Sequence, residues 1–178
     1  DSLKNTFAYY AQNYVTSMIT AMLDARFTEM MSNPDAPFAY AGASYGSILG
    51  ITKTKDAFTL VGVAKGGDIK PVIESIYREG LRAKRGGFTA TEYARARSEY
   101  ISRLEKAYND RNKQENNRYV NEYVRNFVDG DPIPGIEWEY QMMSMVANQV
   151  PVEAINQSFN AMFTDDNRIM LVMSPEKE

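Results

Sequence analysis

The longest unbroken helical pattern in the chain covers residues 2–31, and it constrains the fold more than any other feature. Large apolar side chains recur there at intervals of three, four or eight residues, which places them on one face of an α-helix. They are Leu3, Phe7, Tyr10, Tyr14, Met18, Met22 and Met30. We expect Ser2 to cap the start of this helix and the run Ser32 to Asp35, which contains Pro34, to end it.

A glycine- and aromatic-rich segment from Phe38 to Lys53 comes next, followed by a second apolar run over residues 57–64. This pattern predicts a long hairpin of two antiparallel strands. Glycines at positions 42, 46, 50 and 62 weaken strand propensity. They therefore indicate bulges, or places where another part of the chain packs closely against the sheet.

The remainder of the chain is dominated by helical patterns. Asp68 is suited to cap the start of one helix and Pro71 to lie in its first turn. Thr89 to Glu92 has the T-x-x-E form of a capping box that begins the next helix. Further helices are predicted at 119–128, 136–148 and 151–163, and the apolar run Arg168–Met173 predicts a buried strand. The expected fold class is α+β, a single domain over residues 1–178 with a layer of helices packed on one face of a largely antiparallel β-sheet.

The predicted core takes one or two residues from each of the four helices up to residue 128 and from the strand at Arg168–Met173. A substitution such as Leu171→Ala is expected to cost about 2–5 kcal/mol if the last strand is central. The core residues are Met18, Met22, Ile73, Ile76, Leu104, Val124, Ile169 and Leu171.

Histidine and cysteine are both absent from the 178 residues. Their absence excludes a Ser-His-Asp triad, a Cys-His pair and an ordinary zinc site. We therefore assign no catalytic, cofactor-binding or metal-binding residue and expect no activity from this chain alone. The 20 Lys and Arg residues against 23 Asp and Glu leave a net charge of −3, which gives no basic surface for a nucleic acid. We also expect no membrane span.

Three loops are candidate ligand sites. Ala64 to Asp68 joins a strand to a helix, where backbone N–H groups can hold a phosphate. Asp68 would repel an anion there, so a plain turn is the better interpretation. The pairs Asp129/Asp131 and Asp165/Asp166 lack the spaced oxygen ligands of an EF-hand, so solvated turns explain them.

Several strings, in this order, resemble a non-catalytic domain of the insulinase (pitrilysin) family of zinc peptidases. The likeness extends over nearly the whole chain, although each motif alone has low specificity. The strings are Leu23–Phe27, Pro37–Gly46, Thr91–Glu99, Gly130–Pro134, Pro151–Ile155 and Met170–Glu176.

The resemblance implies a parent enzyme that hydrolyses peptides in a chamber of four homologous α/β domains. Its zinc would be held by an H-x-x-E-H motif, which this chain lacks. Ser32 stands where the last domain of many members has a substrate-holding Arg. This departure favours the domain that follows the catalytic one in a long bacterial member, in the periplasm or cell envelope.

The chain opens at Asp1 without an initiator Met, and the resemblance implies leading strands that it does not contain. We interpret it as a piece of a longer chain, a structural and substrate-enclosing domain whose partners are the parent's other domains and its peptide substrate. An uncovered sheet edge predicts self-association of the excised piece. The alternatives are an interaction module from a catalytically dead relative, such as a processing-peptidase partner subunit, and an independent enzyme using carboxylate, Tyr or Lys chemistry.

Overall fold

A computed structural model describes residues 4, 6–47, 55–113 and 116–174. Six α-helices and two strands occur in these ranges, in the order α-β-β-α-α-α-α-α, with a short 3-10 helix at Arg111–Lys113 before the fourth α-helix. The elements are α1 (Phe7–Met31), β1 (Phe38–Ser47), β2 (Asp56–Ala64), α2 (Lys70–Gly86), α3 (Ala90–Asn109), α4 (Asn116–Asp129), α5 (Ile136–Gln149) and α6 (Val152–Met162). The predicted α+β class and the antiparallel hairpin are confirmed.

The two strands pair antiparallel, from Ser47 opposite Asp56 to Phe38 opposite Ala64, with one irregularity between Phe38 and Tyr40. Helix α1 packs along β1, and α2 packs against β2. Gly62 permits the second contact, because a Cβ at this position would lie 2.5 Å from Cγ1 of Val72. The close approach predicted from the hairpin glycines is therefore present at Gly62, while Gly50 lies outside the described residues.

The core lies where α1 meets β1, α3, α5 and α6. Of the residues predicted to form it, Met18 and Met22 are fully buried, Leu104 is buried, and Ile76 packs against the cluster from a half-buried position. The largest side chains in the core were not on the predicted list. They are Tyr14, Phe27, Phe38 and Phe159.

The predicted strand at Arg168–Met173 is wrong in the described chain. These residues have no regular secondary structure, and Ile169 and Leu171 are 83% and 64% exposed. An apolar run becomes a strand only where a neighbouring strand accepts its backbone hydrogen bonds, and the described sheet contains β1 and β2 alone. Val124, which was also predicted to be in the core, is exposed on α4.

The caps of the helices follow from local chemistry. The capping box predicted for α3 is confirmed, since Thr89 Oγ1 accepts from Glu92 N at 3.2 Å and Glu92 Oε2 accepts from Thr89 N at 2.8 Å. Helix α1 begins later than predicted, because the side chain of Thr6 accepts from Tyr9 N and replaces Ser2 as the cap. Ser2 lies outside the described residues.

Candidate functional site

The densest group of buried polar contacts is centred on Arg26 in α1. Its Nε donates to Glu92 Oε1 at 2.6 Å, its Nη1 to Glu79 Oε1 at 3.1 Å, and its Nη2 to the Gly87 carbonyl oxygen at 3.0 Å. The guanidinium also lies 5.0 Å from the centre of the Phe88 ring. One side chain thus ties α1 to α2, to the start of α3 and to the loop between them.

Glu79 is the buried carboxylate of this cluster, with 5% of its surface exposed. Besides Arg26 it accepts from Arg82 Nε, which lies one turn further along α2 and is itself exposed. Two cations around one carboxylate offset part of the cost of taking that charge out of water. The arrangement stabilises the packing of three helices and places no carboxylate free to act as a base.

The protonation states of the cluster follow from these contacts. The hydrogen bond from Arg26 and those from Thr89 lower the pKa of Glu92 to about 2, although partial burial acts in the other direction. Burial alone would lower the pKa of Arg26, but its bonds to Glu92 and Glu79 outweigh this and raise it above its ordinary value. Both groups are therefore charged at neutral pH, which suits an ion pair and not general acid catalysis.

The loop between α2 and α3 is fixed a second time by α6. The Asn156 side chain accepts from Phe88 N at 2.7 Å and donates to the Phe88 carbonyl at 3.1 Å, so it imitates a strand partner. Gly87 has a φ of 72° and a Cβ there would lie 2.9 Å from Asn156 Nδ2, so only glycine fits without strain. Arg26 and Asn156 thus bind backbone groups of adjacent residues in the same loop, Gly87 and Phe88.

A pair of tyrosines, Tyr14 and Tyr93, forms a second buried polar group. Tyr93 donates its hydroxyl proton to the Val150 carbonyl at 2.7 Å, and its oxygen lies 2.9 Å from that of Tyr14. Because each phenol has one proton to give, Tyr14 is the donor in that second bond. Burial and this bond raise the pKa of Tyr14 well above its ordinary value, and burial raises that of Tyr100 to about 12. These phenols stay protonated and link α1, α3 and the loop before α6.

Two surface clefts lie beside these groups. One, of about 400 Å³, is lined by Arg26, Glu79 and Arg82 together with Glu29, Met30, Asn33 and Ala36. The other, of about 260 Å³, lies between the start of α1, α4 and the loop before α5, with Tyr9, Tyr10 and Tyr100 on one side and Glu122 and Arg125 on the other. Both are open, shallow and mixed in polarity. Neither has the enclosed apolar form usual for small-molecule sites.

The three candidate loops, at residues 64–68, 129–131 and 165–166, have ordinary structural roles. Lys65 Nζ donates to the Pro34 carbonyl, and Asp68 accepts from Lys70 N while Ile69, not Asp68, occupies the cap position of α2. Asp131 pairs with Lys4 at 2.8 Å, and Asp165 pairs with Arg168. Within the described ranges there is no group of three or more His, Cys, Asp and Glu side chains that could hold a metal ion.

The cluster of Arg26, Glu79 and Glu92 could be predicted from the sequence only in part. Arg26 lies in the Leu23–Phe27 string and Glu92 in the predicted capping box, but neither pattern showed that the two meet. Glu79 carries a usable signal, since it lies between Ile76 and Ala83 on the apolar side of α2. Asn156 carries none, because its role depends on a loop that is distant in sequence.

No family model matches the chain. Similarities to individual proteins bear on the fold as a whole. An Arabidopsis thaliana protein described as zinc protease PQQL-like is 24% identical over 95 residues, which cover 53% of this chain and 10% of that protein. The chain thus spans about a tenth of that relative's length.

Solved structures give broader coverage. The first half of the periplasmic protease PqqL from Escherichia coli matches 89% of this chain with a TM-score of 0.78 and 16% identity, over 33% of its own length. A predicted insulinase family protease from Yersinia pestis matches 87% with a TM-score of 0.74 and 8% identity, also over 33% of its length. The whole of PqqL is matched over 17% of its length. The resemblance to insulinase-type peptidase domains is confirmed at the level of the fold.

Proposed function

We propose that this chain is a structural, substrate-enclosing domain of a zinc-dependent metallopeptidase, and that another domain of the parent protein holds the metal. The observation that carries the proposal is the match of nearly the whole chain to one third of the first half of PqqL. A domain that corresponds to only a third of that half is suited to form one wall of a larger chamber.

The chemistry of the chain supports a role without catalysis. It contains no His or Cys, which are the residues most often used as bases, nucleophiles and zinc ligands. Its best-developed polar cluster joins helices, because Arg26 lies between Glu79 and Glu92 at hydrogen-bond distance. A buried network of this kind favours a rigid wall.

The position in the parent and the compartment are parts of the same proposal. The match to the first half of PqqL supports a domain in the first half of the parent, as expected for the domain that follows the catalytic one. The periplasmic location of PqqL supports the periplasm or cell envelope. No helix in the part of the chain that the structure describes is long and apolar enough to cross a bilayer.

The partners proposed for the chain are the other domains of the parent and the peptide held in its chamber. Tyr40, Val61 and Val63 lie on the sheet face opposite α2 and are exposed, so this face is available to the parent's other segments. Self-association of the excised chain stays a prediction, which sedimentation over a range of concentrations would test.

The central experiment measures peptide cleavage by the purified parent and by residues 1–178 alone. We expect the parent to cleave unstructured peptides, to lose activity with a chelator and to regain it with zinc, while the excised chain neither cleaves nor binds zinc stoichiometrically. Zinc bound tightly by residues 1–178 would contradict the proposal. A parent without zinc and without activity would instead favour the catalytically dead interaction module.

A further inference from the structure

Helix α4 carries an apolar stripe that the rest of the described chain does not cover. Its members follow one another at intervals of one and three residues, which places them on one broad helical face. They are Tyr119, Val120, Tyr123, Val124, Phe127 and Val128, all at least 38% exposed, and Phe127 reaches 91%. The helix makes no extensive packing contact with any other described element.

The orientation of α4 is the reverse of that expected for an amphipathic helix on a globular domain. Its polar side faces the body, since Glu122 and Arg125 line the cleft against Tyr9 and Tyr10. Asn126 Nδ2 donates to the Asp131 carbonyl at 2.6 Å. Lys4 donates to the carbonyl of Asp129, the last residue of the helix, and to the Asp131 carboxylate. The two hydrogen bonds from Lys4 join the end of α4 to the segment before α1, and the apolar stripe is exposed.

Exposing such a stripe to water is unfavourable, and a helix of this length is marginally stable by itself. Fully burying a Val or Phe side chain contributes about 1.5–3 kcal/mol, and isolated helices shorter than about 12–15 residues barely form in water. The 14 residues of α4 therefore need a covering surface to supply most of their stability.

The size of the stripe indicates which kind of surface covers it. The stripe has six members on one helix about 21 Å long, far fewer than the roughly 20–30 residues a side of a stable interface. A second copy held through α4 alone would therefore bind too weakly. A neighbouring domain on the same chain needs less area, because the linker raises its effective concentration into the millimolar range.

We infer that the α4 stripe docks against another domain of the same parent chain, on an apolar patch that takes Phe127 and Val124 as its central contacts. This inference rests on the proposed function only in needing a longer parent. The relatives are long enough to supply such a domain, since this chain spans 17% of PqqL. Phe127 is the most exposed residue of the stripe, and aromatic side chains are enriched at the centre of protein interfaces.

The test is hydrogen exchange of the α4 amides in the full-length parent, followed by mass spectrometry. We expect exchange at least about 100-fold slower than in an unstructured peptide, because a covered helix opens only when the domains separate. Phe127→Lys should remove most of that protection. Asn121→Lys, which adds the same charge on the polar side of α4, should leave it in place.

Exchange at the unstructured rate in the wild-type parent would overturn the inference without any variant. So would equal protection in the two lysine variants. Protection that increases with protein concentration, accompanied by dimers in sedimentation, would identify a second copy as the partner and would also overturn it. Zinc-dependent cleavage is measured on the same wild-type sample, so an inactive parent with a protected α4 would refute the proposed function and leave this inference standing.

Discussion

Helices α4 and α6 resemble each other in sequence pattern and differ in what surrounds them. Each has a phenylalanine in an apolar stripe, yet Phe159 in α6 is fully buried and Phe127 in α4 is 91% exposed. Phe159 lies against the rings of Phe58, Phe88 and Phe163, each at a centroid distance of 5.5 Å. An amphipathic stripe therefore indicates that a helix face will be buried. It does not indicate which part of this molecule, or which other molecule, covers that face.

A matched pair of substitutions in α6 and α4 tests this contrast, and it should give the greatest change in the free energy of unfolding. Phe159→Ala should lower the free energy of unfolding by about 3–5 kcal/mol, because it leaves a cavity among three other rings. Phe127→Ala should change it by less than about 0.5 kcal/mol in residues 1–178. Urea denaturation followed by circular dichroism measures both. Equal losses would show that α4 is packed in the isolated chain and would remove the contrast between the two helices.

The ionic cluster offers the next effect. Arg26→Met should cost about 3 kcal/mol, because Glu79 stays buried with Arg82 as its remaining cation. Combining it with Glu79→Leu should restore part of the loss, since no buried charge is then left without its partner. The same denaturation experiment gives the coupling between the two sites. Strictly additive losses would mean that the two side chains do not depend on each other.

A smaller effect is expected from acid. The pKa of Glu92 is lowered from 4.5 to about 2 in the folded chain, so its contribution is complete above about pH 4.5 and is lost as the pH falls towards 2. Glu92 is partly exposed, so we discount the full shift and expect about 1–2 kcal/mol. Unfolding midpoints between pH 6 and pH 2.5 measure this against Glu92→Gln, which should show the shallower decline. Parallel curves would contradict the ion pair with Arg26.

The smallest change in the free energy of unfolding is expected in the apolar run Arg168–Met173. It shows whether this run is exposed or forms a strand. Leu171→Ala should change the free energy of unfolding of residues 1–178 by less than about 0.5 kcal/mol, because the side chain is 64% exposed. A loss of about 2–5 kcal/mol, the size expected for a central strand, would show that Arg168–Met173 is paired in solution. Ile169→Ala, at 83% exposure, serves as the companion variant and should behave in the same way.

Much of the fold could be predicted because its signals are local. The periodic stripe of α1, the capping box at Thr89 and Glu92, and the breakers after Met31 each depend on residues within a few positions of one another. The predicted strand at the end of the chain failed for the opposite reason. An apolar run such as Ile169 to Met173 reports hydrophobicity, whereas a strand also needs a neighbour, and the described sheet offers none there.

Residue types and their spacing are enough to predict most of the helices, the hairpin and the absence of His and Cys chemistry. Without His or Cys the usual bases, nucleophiles and zinc ligands are missing, and helical periodicity and caps are set by near neighbours. Only the tertiary structure decided that Arg26 meets Glu79 and Glu92, residues 53 and 66 positions away, and that α4 turns its apolar face outward. Such contacts depend on how whole elements pack, and packing is a property of surfaces that are assembled from distant parts of the chain.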